Sequence, residues 1–143
     1  MSFYGEYEQT AKADGRYSLV NIVEEKGKNL MKHIYLNLKR FDVPVEFGGV
    51  NRLAPVADWA SCIVKNTQEE LKTYDPTEVE FGMYFPEVHL LNAVAAKTEG
   101  SPVQIGCQSV FRADTAVGGN FGAFTTNRPA SAMVAAGCET TII

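Results

Sequence analysis

Strand-like and helix-like patterns alternate along this chain from Met31 to its last residue, and that alternation confines the fold to the α/β class. The first strand run is Ile34 to Lys39, which puts Ile34, Leu36 and Leu38 on one face and Tyr35, Asn37 and Lys39 on the other. After Pro55, the residues Val56, Trp59, Ala60, Ile63 and Val64 recur at helical spacing and form one apolar face. Val79 to Tyr84 is a second strand, and Pro86 opens a helix through Leu90, Leu91, Val94 and Ala95 to a stop at Gly100. A third strand, Val103 to Val110, is followed by a glycine-rich loop. Pro129 then opens a third helix, with Ala132, Met133 and Ala136 inward and Gly137 as its end, and Glu139 to Ile143 begins a fourth strand.

Short helices that each return to a new strand imply parallel pairing. Two architectures satisfy it. A small doubly wound, flavodoxin-like sheet would be complete at this length and would carry helices on both faces. A (β/α)8 barrel takes about 250 residues, so this chain would be roughly its first half, strands one to four and helices one to three, with helices on one face only. A final strand with no helix after it favours the half barrel.

The 143 residues need only one domain, from Met31 to Ile143. Residues 1–30 read as a partly flexible extension, polar and interrupted by Gly5, Gly15 and Gly27, which lies against the domain through Tyr17, Leu19, Val20 and Ile22. Met31 would make a natural start for the domain. A net charge of −4 argues against a nucleic-acid backbone binder, which would show a basic stripe or patch. No apolar leader follows the first residues, and no window approaches the ~20 apolar residues of a membrane span, so the cytoplasm is the expected compartment.

Individual residues sharpen these expectations. At the end of the first strand, Asn37 and Lys39 place an amide beside a cation where parallel α/β proteins bind ligands, a pattern suited to an anion or a carbonyl but equally to a solvated edge lysine. The connection that follows, through Val43-Pro44 and Gly48-Gly49, is long for its kind, and long loops at that end carry function. Cys62, Cys107 and Cys138 show no C-x-x-C spacing, which argues against zinc or a disulfide framework; Cys62 and Cys107 read as small buried hydrophobes. Trp59 reads as core, and His89 as a partly exposed helix residue with no metal partner at ligand spacing. Thr67-Gln68-Glu69-Glu70 has the form of a capping box and predicts a separate short helix. The loop Ala116 to Thr126 lacks the order of a phosphate-binding glycine motif, and its Phe121 and Phe124 suggest insertion into a partner surface.

Taken in order, Asn37-Leu38-Lys39, Ile105-Gly106-Cys107-Gln108, Gly122-Ala123-Phe124-Thr125 and Ala136-Gly137-Cys138 leading to Ile142-Ile143 make the chain from Met31 onward resemble the N-terminal half of triosephosphate isomerases. That resemblance implies a TIM barrel, a cytoplasmic homodimer of glycolysis and gluconeogenesis, and interconversion of an aldose phosphate and a ketose phosphate by proton transfer through an enediolate, with no cofactor or metal. Lys39 would be the catalytic cation and Asn37 a hydrogen-bond donor to the same substrate oxygen. Thr125 would enter a second subunit and contact its Asn37, with Phe121 and Phe124 as further interface residues. The family's Gly-His-x-Glu and its later base would lie beyond Ile143, so this chain alone is expected to be inactive, and to associate with itself or with the remaining half. Leu38, where the family usually has tryptophan, and the extended first loop leave a four-carbon ketose phosphate open as substrate. A non-catalytic half-barrel association module is the alternative of a different class.

Overall fold

A computed structural model describes residues 9–11, 17–19, 30–119 and 122–143. Two short strands, β1 (Gln9–Ala11) and β2 (Tyr17–Leu19), pair with each other antiparallel. The expected flexibility of residues 1–30 and their packing through Val20 and Ile22 lie outside the described residues. The main sheet contains β3 (Lys32–Asn37), β4 (Val79–Phe85), β5 (Val103–Cys107) and β6 (Thr140–Thr141), hydrogen-bonded in that order and parallel throughout. Three helices alternate with these strands: α1 (Trp59–Leu71), α2 (Leu90–Ala95) and α3 (Ala130–Ala135). The sheet curls, so the architecture is that of a partial barrel.

Alternation along β4 and β5 decides which face the helices cover. Met83, Phe85, Val103, Ile105 and Cys107 point one way and pack with Trp59, Ala60 and Val64 of α1, Leu90 and Ala93 of α2, and Met133 of α3. Phe85 and Ile105 are fully enclosed, each worth about 1.5–3 kcal/mol relative to exposure. Trp59 sits edge-on to Phe85 at 6.0 Å, as the helical spacing predicts for a core residue. All three helices share this one apolar cluster, which is the arrangement of a barrel wall and not of a doubly wound sheet.

The opposite face is polar and aromatic. Gly82 and Gly106 lie under the rings of Tyr35 and Tyr84, where an added Cβ would approach ring atoms to 2.8 and 2.6 Å. Tyr84 reaches the Thr140 hydroxyl at 3.3 Å, and Tyr35 donates to Glu80, which also accepts from His33 Nδ1 at 2.8 Å. Burial first, and then the Glu80 carboxylate, push the Tyr35 phenol above its ordinary pKa.

Several local expectations are corrected. The chain from Trp59 to Leu71 is one helix, so Thr67 caps nothing: its hydroxyl donates back to the Ile63 carbonyl at 2.9 Å. Gln68, fully buried, donates to the Ala96 carbonyl and accepts from the Thr98 amide, which ends α2 at Ala95 instead of near Gly100. Cys62 is half-buried, not enclosed, and accepts from the Asn66 amide; Cys107 and Cys138 are buried. Ile34 and Leu36 alternate as predicted but stay 52% and 46% exposed, because β3 is the edge strand and the helices cover its neighbours.

Candidate functional site

Strand β3 ends one residue pair earlier than the alternation implies. The amide of Leu38 still donates to the Tyr84 carbonyl at 3.0 Å, and the Leu38 side chain turns into the core at 6% exposure. With Leu38 anchored, the backbone at Lys39 is forced into the left-handed region, φ +43°, the only non-glycine residue so placed among the described residues. For a residue with a Cβ such a conformation costs roughly 1–3 kcal/mol, and it persists only where surrounding contacts impose it. Lys39 is therefore brought beside Asn37 by a strained turn and not by sharing a strand face.

Two hydrogen-bonding groups impose that turn. The Lys39 amide donates to Oδ1 of Asn37 at 3.0 Å. The Gln108 side-chain amide, arriving from just past β5, donates both to the Lys39 carbonyl at 2.8 Å and to Asn37 Oδ1 at 3.2 Å. Because Oδ1 accepts from two N–H groups, the Asn37 amide orientation is determined. Its Nδ2 has no protein partner among the described residues, and neither has the exposed Lys39 ammonium. A free N–H donor and a free cation at the carboxyl end of a parallel strand suit an oxygen that carries or develops negative charge.

Beside this pair, the ends of β3, β4 and β5 border an open cleft of about 500 Å³ lined by Arg40, Pro86, Glu87, Val88, Gln108 and Arg128. Arg40 Nη2 donates to Asp42 Oδ2 at 2.8 Å, and His89 Nε2 donates to the same oxygen at 2.9 Å. Asp42 is 1% exposed and His89 2%, which overturns the expectation of a half-exposed histidine. The reason is local geometry: Glu87–His89 form a 3-10 turn ahead of α2, which directs His89 inward against the Trp59 ring, 5.2 Å away. Asn51 anchors the same loop by donating to the Asp42 and Ala54 carbonyls.

Of the expected interface residues, Thr125 is exposed in the glycine-rich loop, and Phe124 is half-buried against Phe111 of its own chain at 6.0 Å. Phe121 lies outside the described residues. The long loop after β3 exposes Phe41, Phe47, Val50 and Leu53. Burial pushes the Cys138 thiol up to about 11 and the neighbouring Cys107 adds to the shift, which disfavours the thiolate form. Arg40 and Arg128 carry no motif that would single them out in the sequence, and Gln108, although it ends the Ile105-Gly106-Cys107-Gln108 match, takes no role from it; only their convergence does that. Among the described residues no helix is long and apolar enough to cross a membrane, and no group of His, Cys, Asp and Glu could hold a metal ion. Neither a scan of protein-family models nor a search of curated proteins finds a match to this chain.

Proposed function

We propose that Asn37 and Lys39 form the electrostatic half of a triosephosphate-isomerase-like site, acting on a small phosphorylated carbonyl sugar in the cytoplasm. The observation that carries this reading is the left-handed Lys39, held by Asn37 and Gln108 so that the Lys39 ammonium and the Asn37 Nδ2 are both left free. In the proton transfer between an aldose and a ketose phosphate, negative charge grows on the carbonyl oxygen as the enediolate forms. A cation and an N–H donor carried by one fixed turn lower the cost of that charge when they reach the oxygen. The acid and base that move the proton would come from the histidine and glutamate that the family resemblance places beyond Ile143. A second copy would bring its Thr125 loop toward Asn37.

The test is titration of the isotopically labelled chain with dihydroxyacetone phosphate, glyceraldehyde 3-phosphate and erythrulose 4-phosphate, followed by amide chemical shifts. Saturable shifts at Asn37, Lys39 and Gln108, abolished by Lys39→Met, are expected, with no turnover. Absence of shifts at these positions rejects the reading, and measurable turnover by the rigorously purified chain rejects the assignment of the proton-moving groups elsewhere. Preference for the four-carbon compound would identify it as the substrate class.

A further inference from the structure

We infer that the cleft between Arg40 and Arg128 is a phosphate-binding site separate from the Asn37 and Lys39 pair. The two guanidiniums reach it from different elements, Arg40 from the turn after β3 and Arg128 from the approach to α3. Each is anchored on one side only. Arg40 uses Nη2 on Asp42, whose carboxylate is buried and itself held by His89 and, through its backbone, by Asn51. Arg128 uses Nε on the Ser109 carbonyl and Nη2 on the Ser109 hydroxyl, while its Nη1 stands 3.9 Å from Glu87, beyond hydrogen-bond reach. The remaining N–H groups of Arg40 have no partner among the described residues.

Anchoring of this kind settles in advance the ordering of two long side chains, which otherwise opposes binding. It leaves planar donor edges available, and such edges match phosphate oxygens in pairs. Phosphate suits the site better than carboxylate because its several outer oxygens can engage two guanidiniums arriving from different directions, whereas two oxygens serve one fork. The cleft volume is that of a small-molecule site, so the phosphate group has room to belong to an organic ester. Glu87, half-exposed and weakly paired, is the one carboxylate on the lining and would be displaced toward solvent. Asp42 offsets part of the Arg40 charge, but from the buried side.

The site is tested on the full chain with inorganic phosphate and, separately, glycerol 3-phosphate, each against sodium chloride at matched ionic strength, by amide chemical shifts. Expected are saturable shifts centred on Arg40, Glu87, Val88 and Arg128; Gln108, which touches both sites, distinguishes neither. Arg40→Gln and Arg128→Gln should each weaken binding roughly tenfold, as loss of a charge-assisted hydrogen bond does. Arg52→Gln, which removes an exposed charge from the same loop, should change it less than twofold. Equal affinity for both probes would mark a free-phosphate site and tighter binding of the ester an organic phosphate site; either supports the inference. Arg40→Lys, keeping the charge and losing the fork, covers the case in which Arg40→Gln fails to fold and should also weaken binding. Shifts centred on Lys39 and lost in Lys39→Met but kept in both arginine variants would overturn the inference while supporting the isomerase reading. No saturable shift at the cleft residues, including the case where sedimentation shows a second copy covering them, overturns it as well.

Discussion

The Gln108 side-chain amide bridges Lys39 and Asn37 from outside their strand, donating to the Lys39 carbonyl at 2.8 Å and to Asn37 Oδ1 at 3.2 Å. Among the described residues it is the only group from outside β3 and its turn that grips both. Truncating it should loosen the turn without emptying the core. Gln108→Ala is expected to destabilise the chain by only about 1–2 kcal/mol, the range for lost hydrogen bonds at a partly exposed site. It should weaken sugar phosphate binding more than tenfold. Urea unfolding and the sugar phosphate titration measure the two effects, and a variant that loses stability but keeps affinity would remove Gln108 from the site.

Lys39 gives the opposite sign for stability. Glycine adopts φ +43° without strain, so Lys39→Gly should raise unfolding free energy by about 1 kcal/mol while abolishing ligand binding. Lys39→Ala removes the same ammonium but keeps the strain, and should show no gain. Comparison of the two denaturation midpoints isolates the backbone contribution, and equal midpoints would show that the turn is unstrained.

The Asp42 and His89 pair is buried on both sides, at 2% side-chain exposure each. Asp42→Ala leaves His89 and Arg40 without their shared acceptor and should cost about 1–3 kcal/mol, the range for leaving a buried hydrogen-bonding group unsatisfied. His89→Leu should cost less, because Asp42 keeps Arg40. If thermal unfolding ranks the two variants the other way, the carboxylate is not the hub of this cluster.

Cys138 makes a prediction in pH. Its thiol is pushed up to about 11, and a group with a raised folded-state value contributes stability that is fully present below its ordinary pKa near 9 and is lost as pH rises from there through 11. Urea midpoints should therefore fall across that window, and less so in Cys138→Ala. At pH 8 the thiolate fraction is roughly 100-fold below that of an unperturbed cysteine, so alkylation should be slower than at the half-exposed Cys62. Mass spectrometry of the partly alkylated chain identifies which thiol reacts first.

Much of this architecture was legible in local pattern. The strand and helix alternation and the core role of Trp59 follow from periodicity and turn residues, which act over a few positions. Periodicity also put Asn37 and Lys39 together at the end of the first strand, but through a shared strand face that the structure replaces with a left-handed turn. The errors have a common origin. Thr67 has the sequence of a cap, yet Gln68 beside it is engaged by the backbone beyond α2. His89 has no partner at helical spacing, yet meets Asp42 across 47 residues.

The amino-acid order alone determined the α/β class, because the period of apolar residues selects element type before any contact forms. Tertiary structure decided the features on which the proposed sites rest: the left-handed turn at Lys39, the Nδ2 of Asn37 without a partner among the described residues, and the cleft between Arg40 and Arg128. Each depends on groups from different strand ends meeting at hydrogen-bond distance, Gln108 on Lys39 and Asn37, and Asp42 between Arg40 and His89. Parallel pairing of β3, β4 and β5 is what aligns those ends, and no local pattern records which distant side chain will arrive.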